Sequence, residues 1–462
     1  MQEQSANVGA QFIAPEQEQT NKVITIVLTA DNHLGYTIPG QHPRKREEQR
    51  QRQRHAFQQA TDFAIGQGVD LFLQAGDLFD TARPDEQDRS FVAARLAQLK
   101  QAGIRVFALG GVHDIPAETH AAPGDAAIPA PAPQLSYASL GALHYFAPTP
   151  GAGRGDNAAG EGEQLSSEQH ILQPEMLDLR GTLVGICGLG VVPGQQGDPL
   201  AHVRVDNAVE RAAIPLLLLH APIEGVGDGK SALDTQAQVS RASIAAHSAF
   251  RYILSGYHHA FTRLTIGQSD VIVAGATQHI DFNDPDDEPG FVFLGIAADG
   301  VRWCRHISID GVQLRRLVIH VSELWPDVET QSIAPGQSPT ERILEQLRPL
   351  CSPDAMVQLR LEGELTRQRY HQLDLNQLWR YGEEHTFALA IDDSTLAFLP
   401  DSEALARVQS TSLAASEIEE RLSPREELIT LADEWIAAAE DEEEQQALVA
   451  TKEELLATLW NL

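Results

Sequence analysis

Short, unbroken apolar runs recur between residues 23 and 296, and most of them stop at or just before a group able to hold a metal ion. The runs are VITIVLTA from Val23, DLFLQAG from Asp70, RVFALGG from Arg105, TLVGICGLG from Thr182, IPLLLLH from Ile214, RYILSG from Arg251 and VIVAGA from Val271. Continuous rather than alternating apolar character implies strands buried on both faces, hence a layered α/β domain. Helices fill the gaps, as around Phe57 and Phe91. The groups beyond the strand ends are Asp31-Asn32-His33, Gly76-Asp77, Gly111-Val112-His113-Asp114, His220 and Gly256-Tyr257-His258-His259. On parallel strands such groups gather along one rim, where open α/β sheets bind ligands.

A chain of 462 residues with 42% hydrophobic content can hold two or three domains and bury a sizeable core. No apolar run reaches the length of about 18 residues that a membrane span needs, and the first twenty residues lack the pattern of a secretory signal. The expectation is a soluble, cytoplasmic protein with a disordered tail over residues 1–21 and no membrane contact. Cys187, Cys304 and Cys351 are far apart and sit among apolar neighbours, which fits a reducing compartment. The formal charge of -31 argues against a grip on nucleic acid over the whole surface, because phosphate binding relies on Lys and Arg. Contact with DNA would be local, metal-mediated or supplied by a partner. The basic run from Arg44-Lys45-Arg46 to Arg54 reads as a solvated helix face, with a phosphate contact as the alternative.

Residues 22–310 form the first expected domain, interrupted near 115–170 by a Pro, Ala and Gly-rich passage that reads as a flexible insertion or a substrate-facing flap. A small α+β domain is expected over 311–400. There Ser338-Pro339-Thr340-Glu341 has capping-box spacing, and Val357, Leu359 and Leu361 alternate with Gln358, Arg360 and Glu362 as in a strand with one wet face. Residues 401–462 read as helices whose apolar faces, bearing Leu428, Leu431 and Trp435, dock either on the chain itself or on a partner.

Hydrolysis of a phosphodiester at neutral pH needs an activated water and a means of absorbing charge on the phosphorus oxygens, and a pair of divalent metals supplies both. Mixed imidazole and carboxylate donors suit Mn, Fe or Zn better than Ca or Mg. With these motifs the chain resembles the calcineurin-like metallophosphoesterases, and within them the SbcD-type nuclease subunit of double-strand-break repair. Asp31-Asn32-His33-Leu34-Gly35-Tyr36, Gly76-Asp77-Leu78-Phe79-Asp80 with Arg83-Pro84, and Gly275-Ala276-Thr277-Gln278 with Gly290-Phe291-Val292 carry the likeness over residues 23–400. It implies a layered β-sandwich with flanking helices, a DNA-capping domain over 311–400, Mn as the metal, and an SbcC-like, SMC-type ATPase and DNA as partners. A homodimer formed through helices of the phosphoesterase domain is implied as well.

Carried over by position, the resemblance implies a first metal site of Asp31, His33 and His259 with Asp77 as the bridge, and a second of Asp77 and His220. The two other ligands of the second site are replaced, by Val112 and Tyr257. Valine has no donor atom, and a tyrosine phenol with an ordinary pKa near about 10 is a costly ligand. His258 does not replace the lost histidine, because ligands at i and i+2 share a side of extended chain and its neighbour does not. His113 takes the catalytic position, stabilising the transition state or protonating the leaving oxygen, and Asp114 is expected to orient its imidazole. Three functions follow: a Mn-dependent DNA nuclease subunit, a scaffold that keeps the fold and at most one metal, and a small-molecule phosphodiesterase.

Overall fold

The structure, a computed structural model, describes residues 22–115, 132–147, 170–190, 195–201, 203–227, 236–325 and 337–399, with isolated positions between 429 and 456. The expected tail, most of the 115–170 insertion and most of the terminal helices lie outside the described residues. Two compact units are distinguished. One is drawn from Met1–Tyr36, Arg52–Gln278 and Asp287–Ile309, the other from Thr37–Gln51, His279–Asp286 and Asp310–Leu462.

The strands of the two main sheets of the first unit are β1 (Ile24–Thr29), β2 (Leu71–Ala75), β3 (Arg105–Leu109), β4 (His144–Phe146), β5 (Glu175–Leu179), β6 (Thr182–Gly190), β7 (Ile214–His220), β8 (Tyr252–Gly256), β9 (Thr262–Ile266), β10 (Ser269–Val273), β11 (Gly290–Ala297) and β12 (Gly300–Ser308). They build two six-stranded sheets, ordered β12-β11-β1-β2-β3-β4 and β9-β10-β8-β7-β6-β5. β1 to β4 pair in parallel in the first sheet and β6, β7, β8 and β10 in the second, whereas β11 pairs antiparallel with β1 and β12, β5 with β6, and β9 with β10.

Each inner strand is apolar on both sides because both sides are covered. Ile24, Ile26 and Leu28 of β1 meet Leu216 and Leu218 of β7 and Leu254 of β8 in the core between the sheets. Val27 and Phe72 face outward onto α1 (Pro43–Gln67) and α2 (Glu86–Gln101), through Phe57 and Leu96. On the other side, Leu217, Leu219 and Ile253 form a third core with Phe250 and Ile244. The result is a mixed-sheet α/β sandwich with flanking helices. In its middle, every parallel strand can deliver its C-terminal end to the same rim.

The basic run is solvated only in part: Arg44 and Arg46 are exposed, and Lys45, Arg50 and Arg52 are half-buried. Arg54 is buried, its guanidinium donating to the equally buried Asp88 at 2.8 Å. Within the second unit, Lys45 Nζ donates to the carbonyl of Glu383 at 2.7 Å and pairs with its carboxylate at 3.2 Å. Acidic partners distant in sequence consume these charges, which a local reading of the helix does not reveal.

The second unit contains β13 (Gln313–His320), β14 (Ala355–Thr366), β15 (Ala388–Asp392) and β16 (Leu396–Leu399), with helices α3 (Pro339–Leu347) and α4 (Leu375–His385). β14 pairs in parallel with the other three strands, and α3 and α4 fill the crossovers before β14 and β15. The Ser338 side chain accepts from the Glu341 amide at 3.2 Å, starting α3 as its spacing predicts. Val357, Leu359 and Leu361 enter the core with Ile343 and Leu347. Gln358, expected on a wet face, is buried because Arg316 lies over it and donates to its Oε1 at 3.2 Å.

Candidate metal centre

The chain leaves β1 and β2 side by side. The amides of Asp31, Asn32, His33 and Leu34 donate to the carbonyls of Gly76, Asp77, Asp77 and Leu78 at 3.0, 2.9, 3.1 and 3.0 Å. To bring side chains to a common point the backbone adopts left-handed conformations: among the described residues, five non-glycine residues have positive φ, and four of them are Asp31, His33, Asp77 and Tyr257. Such conformations cost free energy and persist where the surroundings over-determine them. Two glycines permit the close approach. A Cβ on Gly76, at φ +95, would lie 2.1 Å from His220 Nδ1, and one on Gly111 would lie 2.1 Å from Asp77 Oδ1.

Donor atoms of Asp31, His33 and His259 lie within 4.8 Å of one another, as do those of Asp31, Asp77 and His220, and those of His33, Asp77 and His113. Asp77 Oδ2 stands 3.3 Å from His220 Nε2 and 4.0 Å from His33 Nε2. The outer nitrogen of each ring is engaged: His220 Nδ1 donates to the Ala75 carbonyl at 2.7 Å, and His33 Nδ1 meets Asp80 Oδ1 at 3.2 Å. Both inner Nε2 atoms are buried without a hydrogen bond. Buried polar atoms without partners are rare and call for one. An imidazole fixed through one nitrogen and bare at the other is the geometry of a metal ligand, so these residues fit a divalent cation.

The electrostatics agree. Burial pushes the Asp31 carboxyl above its ordinary range, against the pull of His220 and His259. Burial acts the same way on Asp77, but His220, then His33 and His113, hold it well below the carboxylate range. Burial alone would push His220 down; Asp77 and Asp31 outweigh it and lift the imidazole to about 9. His33 is likewise raised despite burial, by its bond to Asp80 and by Asp77. The cluster thus answers its buried carboxylates with protons on imidazoles, which a cation would displace.

The two substituted positions behave differently from ligands. Val112 packs against the third core, with Cys187, Leu189, Leu217 and Leu219. Tyr257 is buried, its ring 5.6 Å from that of His220, and its amide donates to both Asp31 oxygens at 3.2 and 3.0 Å. Buried His258 accepts the Ile223 amide at Nε2, 3.0 Å away, so that nitrogen holds the loop after β7. The donors within reach of a second cation come down to Asp77, His220 and Asp31.

His113 is the exposed member, its ring 4.7 Å from that of His33 and its Nδ1 3.7 Å from Asp80 Oδ1. Asp114 does something other than orient it. Wholly buried, Asp114 accepts the amides of Gly111, Leu78 and Phe79 at 2.7, 2.8 and 3.3 Å and also Gln134, clamping the loop that carries His113 to the loop that carries Asp77. Burial, then Asp77, pushes its carboxyl up to about 7. The carboxylate that reaches both His33 and His113 is Asp80. It closes the Gly76-Asp77-Leu78-Phe79-Asp80 motif but was not singled out as a site residue, and its fixed place three residues after Asp77 was the available signal.

A parallel-stranded sandwich with imidazoles and carboxylates converging at its strand ends has the fold of the α/β metallophosphoesterases. Residues 24–179 match the family model described as calcineurin-like phosphoesterase. No curated protein matches the chain. Among solved structures it is similar to a provisionally assigned 5'-nucleotidase from Staphylococcus aureus in complex with alpha-ketoglutarate, at 14% identity and TM-score 0.31, covering 71% of this chain and 59% of that one. A dimetal phosphatase from Danio rerio is similar at 11% identity and TM-score 0.32, over 62% and 99% of the two chains. GAP50, the anchor in the inner membrane complex of Plasmodium, is similar at 10% identity and TM-score 0.34, over 62% and 89%. Among the described residues no helix is long and apolar enough to cross a membrane.

Proposed function

We propose that the protein is a metal-dependent phosphodiester hydrolase of the SbcD type, acting on DNA as a subunit with an SMC-like ATPase, through a centre whose first metal position is complete and whose second is weakened. The observation that carries the metal-dependent reading is the pair of buried, unbonded Nε2 atoms of His33 and His220 facing Asp77. The nuclease reading is supported by the sequence likeness over Asp31–Tyr36 and Gly76–Asp80. A divalent cation held there, with Mn the first candidate, supplies positive charge to a phosphate oxygen and acidifies water.

The chain's own residues do the rest. Asp31, His33, Asp77 and His259 are the holders, and Asp80 fixes the His33 ring. His113, exposed at the edge, is placed to give a proton to the departing oxygen. With a net charge of -31, DNA is engaged locally at this rim or through the partner. A reducing, cytoplasmic setting belongs to the same reading and is supported by three free cysteines.

Incubation of the full chain with linear duplex DNA and Mn²⁺ tests this. Cleavage that disappears in His113→Ala and Asp77→Asn is expected; cleavage that both variants retain contradicts it. A second reading, a scaffold that binds at most one cation, is favoured by the half-buried Val112, which packs against the core where a ligand would stand. It predicts bound metal without cleavage in the wild type, and cleavage gained in the Val112→Asn, Tyr257→His double variant.

A further inference from the structure

Behind the ligands lies a polar chain that makes no use of solvent. Asn32 sits between the ligands Asp31 and His33 and is completely buried, as are Thr29 and Thr277; Gln74 is 2% exposed. Asn32 Nδ2 donates to Thr29 Oγ1 at 2.8 Å and to Thr277 Oγ1 at 3.1 Å. Its Oδ1 accepts from Gln74 Nε2 at 3.4 Å. Gln74 grips the residue before Asp77 from both sides, donating to the Gly76 carbonyl at 2.7 Å and accepting the Gly76 amide at 3.3 Å.

Thr277 in turn belongs to a segment tied to the last ligand. The neighbouring Ala276 donates its amide to the carbonyl of His259 at 2.9 Å and bridges to Ala30, the residue before Asp31. Beside the backbone bonds that already join them, the side chain of Asn32 therefore links the three stretches that carry Asp31 with His33, Asp77, and His259. These are the stretches in which Asp31, His33 and Asp77 hold left-handed backbone. A fully paired buried network rigidifies what it touches, and a partly paired one is costly.

We propose that Asn32, Gln74 and Thr277 are positioning residues that set the affinity of the centre for its cation by holding the three ligand segments in register. The inference rests on the reading that the cluster holds a divalent metal. None of the three side chains need touch the cation; they act on it by fixing where Asp31, His33, Asp77 and His259 stand. Loss of such supporting hydrogen bonds typically weakens metal binding about 10–100-fold.

The test uses the full chain, Mn²⁺ alone as the probe, and a chelator competition that reads Kd, with thermal unfolding of the metal-free proteins alongside. Thr277→Val removes the hydroxyl at nearly constant shape, and Thr277→Ser keeps it. The Val variant is expected to raise Kd about tenfold or more, the Ser variant to stay near the wild type, and the metal-free melting temperatures not to follow that order. A Val variant that binds Mn²⁺ as the wild type does, or Val and Ser variants that lose affinity equally, overturns the proposal. Should Thr277→Val not fold, Gln74→Met cuts the network on another strand, and an unchanged Kd there overturns it as well. A wild type that binds no Mn²⁺ refutes instead the metal reading underneath, so the two failures are distinct.

Discussion

Gly76 is the position where one added carbon does most harm. Its backbone is left-handed, and a Cβ would press into His220 at 2.1 Å, so Gly76→Ala must strain the turn, displace a ligand, or both. The backbone term alone is about 1–3 kcal/mol. Chemical denaturation of Gly76→Ala should show a loss at least that large together with weakened metal binding; a variant as stable as the wild type would mean the loop is laxer than described. Single residues were unevenly legible. Asp31, His33, Asp77, His220 and His259 declare themselves by type and by position at strand ends. Asp114 was misjudged because its neighbour in sequence, His113, is not its partner in space: its oxygens face the amides of Leu78 and Phe79. Asp80 is marked by its place in the Gly76–Asp80 motif, whereas Gln74 and Thr277 matter through contacts that no spacing rule exposes.

At the scale of elements, burial decides what can be read. The inner strands β1, β2, β3, β7 and β8 are mostly apolar and stand out from the sequence. β9 alternates half-buried with exposed positions and β12 has no fully buried residue, so neither shows as an unbroken run. Helix α1 is only partly the solvated face its sequence suggests, because Arg54 and Lys45 pair with the distant acids Asp88 and Glu383. Arg54→Leu removes the guanidinium that donates to Asp88, 1% exposed, and breaking a buried pair from one side costs about 3–5 kcal/mol. Urea unfolding checks it, and a loss below about 1 kcal/mol would mean that solvent reaches Asp88.

In the second unit, burial raises the Asp392 carboxyl, but hydrogen bonds from Ser394 and Arg360 outweigh it and hold the group below its ordinary range. A carboxylate depressed in this way stabilises the fold above its unfolded pKa, and the contribution is lost as pH falls through the folded value. Asp392→Asn should therefore flatten the acid limb of the stability curve, whereas an acid limb identical to the wild type would show that the interaction does not persist in solution.

For the whole molecule, the layered sandwich followed from strand burial, while the arrangement of the second unit followed only from its pairing. Local pattern specified a capped helix and a strand there, not that β14 would take parallel neighbours on both sides. Function depends on the rim where the parallel strands end, and the same rim couples stability to metal. A cation present at 100 times its Kd adds about 2.7 kcal/mol to the fold, so chelation should lower the melting temperature of the wild type and leave Asp77→Asn unmoved. The central claim is that Asp31, His33, Asp77 and His259 together hold a divalent cation. Equilibrium dialysis against Mn²⁺, followed by metal analysis of wild type and Asp77→Asn, tests it most directly: the account predicts one tightly held ion per wild-type chain and none in the variant, whereas a wild type that retains no ion, or a variant that retains it equally, contradicts the account.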